Sequence, residues 1–285
     1  MQQDPKARQA SIGAEMQVSA EFDAQTEIER RVNFLANYLR SNGLKTYVLG
    51  ISGGIDSTTA GRLAQLAVEC LRAGHYEARF VAVRLPYGVQ KDEADAQQAL
   101  RFIRADENLA IDIKPAADAM LAALEKSGVP FSDDSQQDFV HGNIKARQRM
   151  IAQYAVASSR SGVVIGTDHA AESVMGFFTK FGDGGTDILP LAGLTKRRVR
   201  AVARELGAPD ALVHKVPTAD LEMLRPQRPD EDAYGIPYEA IDDFLEGKPV
   251  SDAACTVILH YYDVTRHKRA LPYTPFDWPP QNGKA

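Results

Sequence analysis

Tyr47-Val48-Leu49-Gly50-Ile51-Ser52-Gly53-Gly54-Ile55-Asp56-Ser57-Thr58 is the stretch on which the reading of this chain turns. An apolar run, Tyr47–Ile51, leads into a polar loop built on adjacent glycines, and helical spacing follows over Thr58–Leu71. Adjacent glycines let the backbone take positive φ and approach a ligand with no Cβ in the way. Successive N–H groups then converge on an anion, backed by the positive end of the next helix. Ser52, Ser57 and Thr58 add hydroxyl donors at the same place. The segment reads as strand, phosphate cradle, helix. No lysine follows the glycines, so it is not a Walker loop, and it does not fit GxGxxG. A tight strand-to-helix turn capped by Ser or Asp is the plain structural alternative.

Working outward, the periodicities alternate. Ile28, Val32, Leu35, Ala36 and Leu39 give residues 26–40 a helical stripe that stops at Gly43. Arg79–Leu85 reads as a strand closed by Pro86, residues 92–104 as helix, Leu109–Ile113 as strand and Ala116–Lys126 as helix. A long helical pattern, Phe139–Ser159, precedes a strand at Gly162–Gly166. The alternation predicts an α/β protein with a doubly wound, mainly parallel sheet and helices on both faces. Such sheets bind ligands beyond the carboxyl ends of their strands, where strand order reverses. The loops after Ile51, Leu85 and Gly166 are therefore the places to look for chemistry.

With 285 residues, 44% apolar and 25% charged, the chain suits one domain over 1–285. Residues 1–25 are expected to form a mobile N-terminal segment and 277–285 a flexible tail. Thr218–Tyr234 lacks sustained periodicity, holds Pro226 and Pro229, and is long for a connection, so it is expected to be a lid. A net charge of −5 lowers the expectation of a nucleic-acid partner. Apolar runs such as Tyr47–Ile51 fall far short of the ~20 residues that span a bilayer, and the N-terminus lacks a signal-type apolar core. Cytoplasmic location is expected. Cys70 and Cys255 both sit in helix-like patterns; Cys70 reads as a packed core cysteine.

The string Ser52–Ser57, SGGIDS, resembles the signature of the pyrophosphate-loop ATPases, which cleave ATP between its α and β phosphates. The fold implied is that of the adenine-nucleotide alpha-hydrolases. The resemblance implies that Gly50, Ile51, Ser52, Gly53, Gly54, Ile55, Asp56 and Ser57 hold the phosphate end of ATP, with Asp56 on Mg2+. A carboxylate in this cradle repels phosphate unless a cation lies between them.

Within that superfamily the remaining motifs are similar to those of the NAD synthetases. GTDHAAE (Gly166–Glu172) and GFFTKFGDGGTD (Gly176–Asp187) carry the likeness, with RLPYGVQ (Arg84–Gln90), NIKAR (Asn143–Arg147), GLTKRR, PTADLE and His267-Lys268-Arg269. It runs from about residue 26 to 276. By it, Arg84, Gln90, Thr167, Lys196 and Thr218 touch ATP, and Glu172 joins Asp56 on the metal. Arg147, Lys180, Asp187, His267 and Lys268 touch the dinucleotide, while Asp56 and Lys196 carry the catalysis. Taken singly, Asp168 reads as an N-cap, His169 as a surface residue, and Lys196–Arg200 and His267–Arg269 as solvated charge. Asp133–Gln137 departs from the family pattern and reads as an enlarged surface loop; the Pro-rich stretch Pro272–Pro280 receives no role.

The reaction implied is ATP-dependent amidation of deamido-NAD with ammonia through an acyl adenylate. The family also implies a homodimer, with Phe139–Ser159 at the seam and substrate bound across it. Two alternatives stand beside it. One is another pyrophosphate-loop ligase, of GMP synthetase or tRNA-modifying type. The other is a nucleotide sensor that keeps the fold and has lost turnover.

Overall fold

The computed structural model describes residues 5–88, 93–218, 221–226, 228–270 and 272–276. Helices α1 (Pro5–Glu15) and α2 (Ala24–Ser41) precede β1 (Thr46–Gly50). Then come α3 (Ile55–Ala73), β2 (Arg79–Arg84), α4 (Glu93–Ile103), β3 (Glu107–Ala110), α5 (Lys114–Lys126), α6 (Asp134–Ser158) and β4 (Gly162–Val164). The rest is helical: α7 (Ala170–Met175), α8 (Lys196–Glu205), α9 (Asp210–Val213), α10 (Asp230–Tyr234), α11 (Tyr238–Leu245), α12 (Asp252–Val264) and α13 (Arg266–Arg269). No helix of the described residues is long and apolar enough to cross a membrane.

The four strands are all parallel, in the order β3-β2-β1-β4. The chain steps from β1 outward to β3, then returns to lay β4 on the other side of β1. Strand order therefore reverses between β1 and β4, and the crevice opens beyond their carboxyl ends. The side-chain period of two sorts the strands between two cores. Tyr47, Leu49, Phe80 and Ala82 pack with Leu35, Leu39, Leu63, Val68 and Val199 from α2, α3 and α8. Val48, Val81, Val83 and Val164 turn to the opposite face, against Ala157 of α6 and Ile113. Tyr47 is wholly buried because its hydroxyl donates to the Leu35 carbonyl at 2.7 Å. Burial pushes that phenol well above its ordinary pKa.

A third core lies outside the sheet. Val174 and Met175 of α7, Tyr238, Ile241 and Phe244 of α11, and Ile258 of α12 close over Ile12 and Met16. The N-terminal stretch thus folds as α1 and buries two apolar side chains; four-residue and heptad spacing is too brief in Pro5–Glu15 to announce this.

Several boundaries differ from the sequence reading. The helix after the glycine loop starts at Ile55, three residues before Thr58, because extended Gly54 caps it and its carbonyl accepts from the Thr58 N–H. Asp56 and Ser57 therefore sit in a helical first turn and not in a loop. The third strand is Glu107–Ala110, where the apolar content had pointed to Leu109–Ile113. On this edge strand pairing with β2 decides, and Ile111 and Ile113 still donate to Arg84 and Pro86 carbonyls beyond its end. Asp133–Gln137 is not a surface loop: the Asp133 carboxylate accepts from the Gln136 N–H at 2.8 Å and starts α6 there. Cys70 is exposed, on the outer side of α3, which corrects the packed-core reading.

Candidate active site

The loop after β1 is held by its own hydroxyls. Ser52 Oγ and Ser57 Oγ lie 3.2 Å apart, the Gly54 N–H donates to Ser52 Oγ at 3.2 Å, and the Ser52 N–H donates to Ser57 Oγ at 3.3 Å. Gly53 has φ +85°, and a Cβ there would sit 2.7 Å from the Ala96 nitrogen of α4, so only glycine fits. Two further amides of the stretch are already engaged. Gly50 donates to Gln153 Oε1 of α6 at 2.7 Å and Ile51 to the Val83 carbonyl at 2.9 Å. That leaves the anion-binding role to the first turn of α3, whose Ile55, Asp56 and Ser57 amides have no acceptor within the helix.

These groups line a cavity of about 310 Å³ at the switch point. Gly166, Thr167 and Asp168 line it from beyond β4, Thr218 and Asp230 from the segment before α11, and Arg149 and Gln153 from α6. Thr218 pairs antiparallel with Pro229, which brings both ends of the segment between them to the cavity mouth.

At the cavity floor four ionisable side chains meet. Lys196, at the start of α8 and 1% exposed, donates to the two oxygens of Asp56 at 2.8 and 3.0 Å. Its Nζ lies 3.9 Å from Glu172 Oε1 and 3.3 Å from His169 Nε2. An ammonium this deeply buried persists only with compensating charge close by. Asp242 fixes the helix that carries it, accepting from the Lys196 and Arg197 N–H groups at 2.9 and 2.7 Å. Burial works against ionisation of Asp56, yet Lys196 and His169 hold its carboxyl below the usual range. Burial likewise lowers Lys196, and Asp56 and Glu172 more than reverse it. Two other carboxyls go the opposite way, through burial and then the charge of Glu172. Asp168 is raised well above its ordinary value and Asp230 to about 6.

Asp56, His169 and Glu172 each offer a donor atom, all within 4.8 Å of one another. Asp230 Oδ1, on the cavity wall, is buried with no hydrogen-bond partner. An excess of carboxylate oxygen, one atom of it orphaned, is a set of donors suited to a hard divalent cation.

The sequence-predicted residues divide into two places. Gly50, Ile51, Ser52, Gly54, Ile55, Asp56, Ser57, Thr167, Glu172 and Thr218 line the cavity, and Lys196 reaches it through Asp56. Gly53 is turned against α4. Arg84 is buried, ion-paired with Glu93, and does not line the cavity. Gln90 lies outside the described residues. The residues that the resemblance assigns to the dinucleotide do not line this cavity. Arg147 donates to the Lys180 carbonyl at 3.3 Å, Lys180 to the His267 carbonyl, and Lys268 to the Gly176 and Phe178 carbonyls at 2.8 Å each. Asp187 accepts from Tyr154 Oη at 3.1 Å and from the Val164 N–H at 2.7 Å, tying this loop to α6 and β4.

His169 is the main residue that the sequence reading misplaced: it is 1% exposed and belongs to the charge cluster, not to the surface. Gln153 and Asp230 were missed. Nothing in a helical pattern marks one glutamine as the partner of a distant glycine amide, and Asp230 lay within the stretch read as a lid.

A parallel sheet with a helix-borne anion cradle and a carboxylate pair at its switch point defines a nucleotide-using α/β enzyme. The sequence model described as NAD synthase matches residues 27–272. The chain belongs to the NAD synthase family and is an ATP-dependent amide ligase whose function is NAD synthesis. It is 84% identical over 280 residues to the NH(3)-dependent NAD(+) synthetase of Paraburkholderia phytofirmans, covering 98% of each chain. Among solved structures it is similar to the NAD+ synthetase of Burkholderia pseudomallei. There the TM-score is 0.83 at 69% identity, with 95% of this chain and 99% of that one covered. It is also similar to the NMN synthetase of Francisella tularensis, with a TM-score of 0.77 at 36% identity over 90% of this chain and 99% of the other.

Proposed function

We propose that this chain converts deamido-NAD to NAD with free ammonia, in two steps in one cavity. The observation that carries the reading is the junction of two groups of residues. The amide-lined first turn of α3 faces the same cavity as Asp56 and Glu172, with Lys196 buried beneath them. In the first step a nicotinate carboxylate oxygen attacks the α-phosphorus of ATP, and the bond to the β-phosphate oxygen breaks to release pyrophosphate. In the second, ammonia attacks the acyl carbon, the carbon–oxygen bond breaks, AMP leaves with the electron pair, and the nitrogen loses a proton. The Ile55, Asp56 and Ser57 amides, with the Ser52 hydroxyl, hold the leaving pyrophosphate. Thr167 and Thr218 flank the nucleotide from the other loops.

Asp56 and Glu172 would hold Mg2+, which when bound neutralises the phosphate oxygens and draws charge from the α-phosphorus. Lys196 supplies a fixed positive charge to the same place. Catalysis here is positioning and charge stabilisation, with no covalent nucleophile on the protein. In keeping with ammonia as donor, neither Cys70 nor Cys255 lines the cavity.

The dinucleotide patch of Arg147, Lys180, His267 and Lys268 stands outside the cavity, which favours a site completed by a second subunit. α6 supports this: Ile144 and Ala146 are buried, whereas Phe139 and Ile151 are 58% and 51% exposed. A mononucleotide substrate is the second reading, prompted by the similarity to an NMN synthetase; the 84% identity to an NAD(+) synthetase favours the dinucleotide. Incubation with ATP, Mg2+ and ammonium, and either deamido-NAD or the acid precursor of NMN, separates them. NAD and AMP formed in equal amounts is the expected result; substrate-dependent ADP and orthophosphate would contradict it.

A further inference from the structure

We propose that Gln153 is a positioning residue for the phosphate loop: its Oε1 accepts the Gly50 N–H where the strand ladder ends, and that bond fixes the backbone entering the loop. The proposal rests on the reading of Ser52–Ser57 as the cradle for pyrophosphate. Successive N–H groups of a strand point to opposite sides. The Ile51 N–H donates to the Val83 carbonyl of β2, so that of Gly50 points to the β4 side. There the ladder runs out. Pairing of β1 with β4 ends at Val48 and Val164, the Ile165 N–H still reaches the Val48 carbonyl, and the Gly166 N–H turns to the Ile188 carbonyl. The acceptor that meets the Gly50 N–H is a side chain, Gln153 Oε1 at 2.7 Å.

The helical period of α6 delivers that side chain. Ala157 is buried against Val48 and Val164. Gln153 and Arg149 lie one and two turns before it on the same face, which carries them past the strand ends. Arg149 Nε donates to the Leu85 carbonyl at 3.1 Å, and Gln153 Nε2 to the Arg149 carbonyl at 3.3 Å. A flipped Gln153 amide would set its NH2 against the Gly50 N–H, so the two partners fix which way it points. A Cβ on residue 50 would lie 3.2 Å from Gln153 Oε1, so glycine lets the two approach. Two residues on, the Ser52 N–H and Oγ engage Ser57 Oγ in the first turn of α3. Tilting the Gly50 peptide shifts that hydroxyl lattice, and with it the amides that face the leaving pyrophosphate.

The test compares two full-length variants. Gln153→Met keeps the length and loses the oxygen acceptor, whereas Gln153→Glu keeps an acceptor at the same reach. Exchange of the Gly50 amide is read by NMR with 15N-glycine labelling, alongside KM for ATP, KM for deamido-NAD and inhibition by inorganic pyrophosphate. Leaving such a donor unsatisfied corresponds to about 10-fold. Gln153→Met should speed Gly50 exchange by that factor and weaken ATP and pyrophosphate alike, with KM for deamido-NAD unchanged. Gln153→Glu should keep the slow exchange. Thermal melting checks folding; should Gln153→Met not fold, Gly50→Ala, which crowds the same bond from its other end, carries the same kinetic prediction. Weaker ATP binding with Gly50 exchange unchanged would make Gln153 a direct ligand contact and overturn the proposal. So would fast exchange with ATP and pyrophosphate bound as before, or equal losses for ATP and deamido-NAD. If pyrophosphate does not compete with ATP in the unaltered protein, the cradle reading itself is wrong and the proposal falls with it. That outcome is distinct, since it involves no variant.

Discussion

Asp56 and Lys196 show how burial and chemistry are balanced residue by residue. Lys196 is held at 2.8 Å from a carboxylate that would otherwise lose ionisation to burial. Removing the Asp56 charge leaves Glu172, 3.9 Å from Lys196 Nζ, as the remaining counter-charge and takes one carboxylate from the proposed metal site. Asp56→Asn should keep its fold by circular dichroism and lose about 100-fold or more in turnover; near-normal activity at limiting Mg2+ would remove Asp56 from the metal site. Asp230 makes the complementary point. Burial and then Glu172 raise it from 3.8 to about 6, so between those values the folded protein binds more protons than the unfolded chain. Its contribution to stability is thus unfavourable above pH ~6 and fades as the pH falls toward ~4. At 1.36 kcal/mol per pKa unit the effect is about 3 kcal/mol. Metal-free Asp230→Asn should melt higher at pH 7 and lose most of that advantage near pH 4, by calorimetry. An equal difference at both pH values would mean that Asp230 titrates normally.

Among the elements, legibility followed the kind of signal each one leaves. α2, α3 and α6 carried helical stripes, and β1 and β2 apolar runs, and all five formed within a few residues of where the periodicity put them. β4 was read from the short apolar run after the long helix, and its loop from the GTDHAAE string. What stayed hidden depends on pairing and capping. The start of α3 was set by an extended glycine, β3 by its neighbour, and α1 by a core assembled from α7, α11 and α12. The stretch Thr218–Tyr234 combines both situations. Its ends are joined by the Thr218–Pro229 bridge and it closes with α10, while Met223 and Leu224 donate N–H groups to Asp138 at 2.9 and 2.8 Å. Residues 219, 220 and 227 of this proposed lid lie outside the described ones. Tyr234 anchors its end in the third core, whereas Met223 and Leu224 near its middle are each 61% exposed. Limited proteolysis should cut it in the free protein and spare it with ATP and deamido-NAD bound; equal rates in both states would count against a lid.

For the whole molecule, the site is legible because the fold class dictates its place. A parallel sheet wound both ways has its crevice at the reversal between β1 and β4, and the loops singled out after Ile51 and Gly166 meet there. Of the loop after Leu85, the described residues 86–88 do not line the cavity, and Arg84 before it is turned to Glu93. What sequence spacing cannot carry is the side-chain cluster drawn from α3, α7 and α8, nor the split between the cavity and the dinucleotide patch. That split is the basis for proposing a second subunit. Ile151→Asp should yield a monomer by sedimentation with weakened dinucleotide binding; an unaltered dimer would move the interface elsewhere.

The account depends most on the acyl adenylate, and oxygen tracing reaches it directly. Deamido-NAD labelled with 18O in its nicotinate carboxylate is turned over with ATP, Mg2+ and ammonium, and the released AMP is weighed by mass spectrometry. If the carboxylate attacks the α-phosphorus, one labelled oxygen leaves with the phosphate when ammonia displaces it, so each AMP carries one 18O. Unlabelled AMP, with the label in pyrophosphate or lost to water, would contradict the account.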